Sequence, residues 1–121
     1  MAWILDADRP IYIQIVEKIQ LDIVAGVYKA GDKMPPVREL ATEAAVNPNT
    51  MQKALAELER MGLLYTQRTS GRFVTEDEVM INKVKEEMAS KHIEVFLESM
   101  KQLGYDVEET ISVIREMNRE E

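Results

Sequence analysis

The chain has 121 residues, 45% of them hydrophobic and 31% charged, a composition typical of a folded protein with one or two small domains. No run approaches the ~20 apolar residues that a membrane span requires, and the first residues lack the basic and apolar segments of a secretory signal. Without cysteine there are no disulfides and no thiolate chemistry, a composition that fits a cytoplasmic protein without establishing that location.

The net charge of −7 is distributed unevenly along the chain. Residues 1–75 carry nine basic and nine acidic side chains, whereas residues 76–121 carry six basic and thirteen acidic ones. This asymmetry predicts two domains with different tasks, divided at 75/76. A neutral domain can still bind nucleic acid if its cations converge on one face, because affinity depends on local neutralisation of phosphates.

The first predicted helix opens at Asp8-Arg9-Pro10 and stops at Gly26. Asp8 is a favourable N-cap, and a proline is tolerated in the first turn. Glycine supplies the left-handed conformation that ends many helices. Apolar residues between these signals recur at helical spacing, at Tyr12, Ile15, Val16, Ile19 and Ile23.

Two shorter helices joined by a tight turn are predicted next. The second helix follows Pro35-Pro36 and covers residues 37–44, and the third is capped by Asn47, has Pro48 at its first position and ends at Gly62. The predicted buried stripe of the third helix consists of Met51, Ala54, Leu55, Leu58 and Met61.

A β-hairpin is predicted directly after this pair of helices. Its β-prone runs are residues 63–67 and 72–75, and the turn between them is Arg68-Thr69-Ser70-Gly71. Residues 3–5 are a candidate for a third, flanking strand. We therefore predict a mainly α fold with a small β-hairpin, in which residues 1–75 form a winged helix-turn-helix.

The C-terminal part is predicted to be two amphipathic helices. The first starts near Glu76 and is broken at Leu103-Gly104-Tyr105, and Asp106 with Glu109 predicts a capping box for the second. Two such helices cannot bury both apolar faces alone, so we expect a second copy of the chain to cover them. The predicted dimerisation residues are Ile81, Val84, Met88, Phe96, Met100, Ile111 and Ile114.

The candidate base-reading residues lie in the first two turns of the third helix, away from its buried stripe. They are Asn49, Thr50, Gln52 and Lys53. Asparagine and glutamine can pair with adenine, and threonine can bond a base or touch a thymine methyl. Lys53 can reach a phosphate or a guanine, and a solvated helix face is the alternative for Gln52 and Lys53.

Two other elements carry candidate contacts to double-stranded DNA. Arg38, near the start of the second helix, is placed to anchor a phosphate. In the hairpin, small residues allow close approach to a groove and arginines suit a narrow minor groove. The candidates there are Arg68, Thr69, Ser70, Gly71 and Arg72.

The chain resembles the DNA-binding domain of the GntR family in four stretches: PPVRELA at 35–41, VNPNTMQKAL at 46–55, GLL at 62–64 and GRFV at 71–74. The Asn-Pro-Asn-Thr run and the short C-terminal part are similar to the YtrA-type branch. The resemblance implies a homodimeric repressor, contacts at Arg38, Asn49, Thr50, Gln52 and around Gly71, and a link to transporter operons.

Three positions depart from the family pattern. Pro36 stands where the family usually has a serine that caps the second helix, and Pro48 and Gln52 stand where many members carry arginine. The missing arginines weaken any transfer of the guanine-rich operator preferences of other branches to this chain.

Functions other than DNA binding fit the sequence less well. The neutral first domain and acidic tail suit a winged helix that contacts proteins, although Arg68 and Arg72 in the wing favour DNA. A hydrophobic cleft between the C-terminal helices and the winged domain is a candidate site for an unidentified small-molecule effector. No nucleophile–base set or phosphate-binding glycine loop is present, so we predict no enzyme and no cofactor. His92 is expected to be a packed or interface residue rather than a metal ligand.

Overall fold

The computed structural model describes residues 3–119. It confirms the predicted fold class, a winged helix-turn-helix followed by two C-terminal helices. The elements in chain order are α1 (Ile11–Val24), α2 (Val37–Ala44), α3 (Pro48–Arg60), β1 (Leu64–Gln67), β2 (Gly71–Val74), α4 (Glu78–Gln102) and α5 (Val107–Asn118). The chain divides into two compact units, one up to Lys83 and one from Val84 onward, so that α4 belongs to both.

The core of the first unit is built around α3, which packs against α1, α2 and β1. The predicted stripe of α3 is confirmed for Met51, Ala54, Leu55 and Leu58, whereas Met61 at the C-cap is only half-buried. Each fully buried large apolar side chain contributes on the order of 1.5–3 kcal/mol. The largest of them are Ile15, Ile19, Leu40, Met51, Leu55, Leu58, Leu63 and Val74. This packing holds the outer face of α3 in a defined orientation.

The predicted cap of α1 by Asp8 is wrong. The helix begins at Ile11, and its N-cap is Pro10, which makes no side-chain cap hydrogen bond. The buried amide of Gln14 instead ties the preceding segment to the helix. It accepts from the Asp6 N–H at 2.6 Å and donates to the carbonyls of Asp6 at 2.8 Å and Arg9 at 3.0 Å. A side chain inside the helix thus replaces the local cap that the sequence suggested.

The third strand predicted at residues 3–5 is also wrong, since those residues form no strand. The free edge of β2 is covered by the connector before α2. The Met34 N–H donates to the Arg72 carbonyl at 2.8 Å, and the Val74 N–H donates to the Asp32 carbonyl at 2.8 Å. Lys33 pairs with Phe73 in an antiparallel bridge. Both edges of a short hairpin strand therefore have hydrogen-bond partners.

The turn between α2 and α3 contains a residue in the left-handed region that is not glycine. Ala45, the C-cap of α2, has φ 61° and ψ 46°. Two residues later Asn47 caps α3 as predicted, because its side chain accepts from the Asn49 N–H at 2.7 Å, and Pro48 occupies the first turn. Pro36, by contrast, begins α2 without a side-chain cap, as expected from the missing serine.

Replacing Ala45 by glycine is expected to stabilise the protein by about 0.5–1 kcal/mol, because glycine adopts a positive φ without the clash of a Cβ. Urea unfolding measures this change. Ala56→Gly is the matched control, since Ala56 is exposed inside α3. It should destabilise by about 1 kcal/mol. Loss of stability in Ala45→Gly would contradict the assigned backbone conformation.

The second unit contains a helix pair with little interior. The predicted capping box at the start of α5 is confirmed: the Glu109 N–H donates to Asp106 Oδ1 at 2.8 Å, and the Asp106 N–H donates to Glu109 Oε1 at 3.1 Å. Thr110 is buried, and its hydroxyl donates to the Asp106 carbonyl at 2.7 Å. Along α4, which is described in full, no residue is buried. The unit therefore leaves most of its apolar side chains uncovered.

Candidate nucleic-acid interface

The candidate recognition surface is the outer face of the first two turns of α3. Asn49, Gln52 and Lys53 are exposed there, while Thr50 is half-buried. The first three residues are spaced i, i+3 and i+4 and so share one side of the helix, opposite the buried stripe. Asn47 caps the helix at this end, so its first turn is held in place next to these side chains.

Thr50 also borders a small cavity beside the turn between α2 and α3. The cavity has a volume of about 390 Å³. Its lining residues are Trp3, Leu5, Ile11, Ala44, Ala45, Val46, Asn47 and Thr50. The segment before α1 therefore lies against the base of the recognition helix, where the Trp3 indole N–H donates to Glu43 at 3.4 Å.

Lys53 differs from the other residues of this surface because its cation has an aromatic partner. Its Nζ lies 3.9 Å from the centre of the Tyr12 ring, which belongs to α1. Within residues 3–119, no carboxylate forms an ion pair with this ammonium. The charge is thus held by a ring face and is not neutralised.

Arg38 is exposed on α2, one residue after the helix begins. Among the residues that the structure describes, its guanidinium has no carboxylate partner. Its backbone carbonyl accepts from the Thr42 hydroxyl at 2.9 Å. A free guanidinium at the start of this helix can reach an anion without first breaking an ion pair.

The tip of the hairpin presents small and basic side chains. Arg68, Thr69 and Ser70 are all exposed, and the Ser70 N–H donates to the Gln67 carbonyl at 3.1 Å to close the turn. Gly71 has φ 111°, and a Cβ there would lie 3.2 Å from Lys33 Cε. A side chain at this position would therefore be strained by the backbone conformation, and the end of the Lys33 side chain would have to shift to make room for it.

Arg72 does not join the other basic residues of the wing. Its side chain is 16% exposed, and its Nε donates to Glu59 Oε1, at the end of α3, at 3.0 Å. Glu59 also accepts a hydrogen bond from the Thr66 hydroxyl on β1. Burial raises the pKa of the Glu59 carboxyl, but the two hydrogen bonds outweigh burial, so the pKa is lowered overall. The Glu59 carboxylate therefore links both strands of the wing to the recognition helix by hydrogen bonds.

Glu59→Gln is expected to destabilise the protein by about 1 kcal/mol, because it removes a charge-assisted hydrogen bond from a mostly covered site. Since the pKa is lowered from the ordinary value of 4.5, its stabilising contribution is complete above that pH and is lost as the pH falls below it. Urea unfolding between about pH 7 and pH 3.5 measures both effects.

The matched control is Glu57→Gln, because Glu57 pairs with Arg60, whose side chain is 74% exposed. An exposed pair stabilises little, so this variant should change stability far less than Glu59→Gln. Equal effects of the two variants would contradict the role of Glu59 as the wing anchor.

Two residues of this surface were not singled out from the sequence. Tyr12 was assigned only to the apolar stripe of α1, and Glu59 was assigned no role. A tyrosine among the apolar residues of α1 carries no signal for a contact with a lysine on another helix. The proximity of Glu59 to Arg72 depends on the docking of the hairpin against α3, 13 residues away along the chain.

Comparison with known proteins places this architecture in a family. The family model described as bacterial regulatory proteins, gntR family, matches residues 11–74, which span α1 to the end of the hairpin. The chain belongs to the GntR family. The resemblance to this family that the sequence predicted is thereby confirmed.

Two curated relatives of this GntR chain come from Bacillus subtilis. It is 37% identical to the uncharacterised HTH-type transcriptional regulator YhcF over 90% of each chain. It is 38% identical to the HTH-type transcriptional repressor YtrA over 83% of this chain and 72% of the relative. Both similarities agree with the predicted YtrA-type branch.

Two of the solved structures that match this chain illustrate the GntR fold described above. A GntR family transcriptional regulator from Listeria monocytogenes superimposes with a TM-score of 0.85 and is 43% identical, covering 93% of this chain and 98% of that one. The DNA-binding domain of AraR in complex with operator ORX1 gives a TM-score of 0.56 at 29% identity, covering 62% of this chain and 95% of that one. The first unit therefore has the fold of a domain that has been seen on DNA.

Within residues 3–119, no helix combines the length and the apolar character needed to cross a membrane. In the same part of the chain, no group of three or more histidine, aspartate or glutamate residues is arranged to hold a metal ion. His92 is exposed on α4.

Proposed function

We propose that this GntR protein is a homodimeric, sequence-specific transcriptional repressor that binds a palindromic operator and catalyses no reaction. The observation that carries the proposal is the exposed polar face at the start of α3, on a helix fixed by its buried stripe and its Asn47 cap. In this reading residues 1–75 bind DNA and residues 76–121 dimerise. The repressor name of YtrA and the operator complex of AraR support it.

The side chains divide into three proposed roles at the DNA. Asn49, Thr50 and Gln52 lie where base edges of the major groove are read. Arg38 and the exposed tip of the wing, residues 68–71, contact the backbone or the minor groove. Arg72 supports the wing through Glu59 rather than touching DNA, because its guanidinium is already paired and largely covered.

The proposed dimer interface is the uncovered apolar surface of the second unit. Of the predicted residues beyond Val84, Phe96 and Ile114 are exposed and Met88, Met100 and Ile111 are half-buried. The exposed large apolar residues of this unit are Ile93, Val95, Phe96, Leu103, Tyr105, Val107, Ile114 and Met117. So many exposed apolar side chains on a small helix pair indicate an interaction site. A second copy of the same helix pair offers a matching apolar surface.

A groove within this second unit adds to the surface that the second copy would cover. It lies between α4 and α5, has a volume of about 710 Å³, and is lined by apolar side chains such as Leu97, Tyr105 and Val107.

The net negative charge of residues 76–121 would repel DNA and so keep it away from the proposed dimerisation region.

We further propose a cytoplasmic location and a role at a transporter operon, the latter only because the sequence resembles the YtrA-type branch. A small apolar effector is a separate proposal. Its binding would be detected as a ligand-dependent change in the affinity for operator DNA.

Footprinting and mobility-shift assays with DNA from upstream of the protein's own gene test this function. We expect two protected half-sites whose centres lie roughly 34–36 Å apart, and binding that weakens steeply with salt. A scrambled fragment of the same length is the control. Equal affinity for both fragments would contradict a sequence-specific regulator, and absence of binding to any genomic fragment would favour a protein-contacting winged helix instead.

A further inference from the structure

The contact between Tyr12 and Lys53 joins the first helix to the recognition helix at the proposed DNA surface. Tyr12 is half-buried near the start of α1, which packs directly against α3. The Lys53 ammonium lies over its ring, 3.9 Å from the centroid, well inside the ~6 Å limit of a cation–π interaction. Lys53 itself is exposed, so the contact with the ring does not bury the residue.

A second lysine over an aromatic ring in the same unit provides a comparison. Lys18 lies 5.7 Å from the centre of the Trp3 ring, but its ammonium is also bonded to both carboxylate oxygens of Asp22 at 2.9 Å. That cation is neutralised in the fold. The Lys53 cation is not, since within residues 3–119 no carboxylate forms an ion pair with it. The contact with Tyr12 therefore restrains the lysine and leaves its charge available.

We propose that Tyr12 is a positioning residue that holds the Lys53 ammonium for a phosphate of the DNA backbone, an inference that rests on the proposed DNA binding. The ring belongs to α1, so it holds the ammonium against the neighbouring helix and keeps it from extending freely from the α3 face that Lys53 shares with Asn49 and Gln52. Phosphates border the groove that a recognition helix enters, whereas base edges lie on its floor. Lys53 then contributes affinity for any DNA and little preference for one sequence.

The contact with Tyr12 also offsets a disadvantage of lysine as a phosphate-binding residue at position 53. A lysine side chain is long and flexible and loses much rotamer freedom when it binds a single anion. A ring that already restrains it reduces that loss before DNA arrives. A base contact by Lys53 would instead require the ammonium to leave the ring.

The test measures the affinity of the full-length protein for an operator fragment and a scrambled fragment, across salt concentrations, by fluorescence anisotropy. Lys53→Met should weaken binding to both fragments by the same factor, about tenfold, and lower the salt slope by roughly 0.9 for each subunit. Tyr12→Leu should weaken both by about two- to fivefold. Tyr12→Phe, which keeps the ring face, should recover most of that loss.

A double variant separates positioning from a general structural effect. In the Lys53→Met background, Tyr12→Leu should cause no further loss of affinity, because the lysine it positions is absent. Lys18→Met is the matched control, since it removes the other ring-bound lysine. It should leave the salt slope unchanged. Urea unfolding of each variant verifies that the fold is retained.

Three results would overturn the inference. One is an equal effect of Tyr12→Leu with and without Lys53. Another is a loss in Lys53→Met confined to the operator, which indicates a base contact. The third is an unchanged salt slope in Lys53→Met. This result would overturn the inference even if Tyr12→Leu fails to fold. If the proposed function is wrong instead, the wild-type protein binds the operator fragment and the scrambled fragment equally. The phosphate contact of Lys53 can then still be measured on either fragment.

Discussion

Replacing both Thr50 and Gln52 by alanine is expected to reduce the preference for operator over scrambled DNA by about 10²-fold or more. Each specific base contact contributes roughly 1–3 kcal/mol, and a dimer makes it in two half-sites. Neither side chain belongs to the buried core, so the fold should be retained. Competition binding with the two fragments measures the ratio of affinities, and circular dichroism checks the helical content.

Arg38→Ala supplies the contrasting case for this prediction. Arg38 is exposed and, within residues 3–119, without an ion-pair partner, as a phosphate-binding side chain would be. Its loss should weaken binding to both fragments equally and reduce the salt slope by roughly one unit per subunit. If the Thr50 and Gln52 double variant also weakened both fragments equally, the base-reading role of α3 would have to be abandoned.

Phe96→Glu is expected to convert the protein to a monomer and to reduce operator affinity by about 10²- to 10³-fold. Phe96 is 42% exposed on α4 and lies among the uncovered apolar residues of the second unit. A carboxylate buried without a partner in an interface is strongly unfavourable. A monomer also loses the gain in affinity that comes from linking two half-site contacts. Analytical ultracentrifugation and operator titration measure the two effects.

The conservative variant Phe96→Leu keeps an apolar side chain at the same position and should remain dimeric. Circular dichroism should show that both variants retain α4, since Phe96 is not part of a buried core. A Phe96→Glu protein that stays dimeric with unchanged operator affinity would show that the second copy binds elsewhere.

Several helix boundaries could be predicted because their signals are local. Asn47 followed by Pro48 starts α3, and Asp106 with Glu109 caps α5, in each case through hydrogen bonds within three residues. Gly26 and Gly62 follow helix ends with φ of 84°. Such contacts depend on neighbouring residues alone, so the residue types at fixed spacing are sufficient to infer them.

Predictions from local signals were wrong where a residue farther along the chain supplied the hydrogen bond instead. Asp8 has the chemistry of an N-cap, yet the amide of Gln14 holds the segment before α1. Residues 3–5 have β-prone side chains, but the edge of β2 is taken by residues 32–34. Ala45 is not a residue type that signals a left-handed turn, yet the turn forms there, with the Val46 N–H donating to the Ala41 carbonyl at 3.0 Å.

The sequence by itself therefore determined the winged helix-turn-helix, the polar face of α3 and the acidic, apolar-faced C-terminal helices, because periodicity and caps are local properties. Only the tertiary structure decided which cations are available at that surface. It paired Arg72 with Glu59, left Arg38 without an ion pair within the described residues, and placed Lys53 over Tyr12. These outcomes depend on how α1, α3 and the hairpin dock, and side chains far apart in the chain meet only after the core has packed.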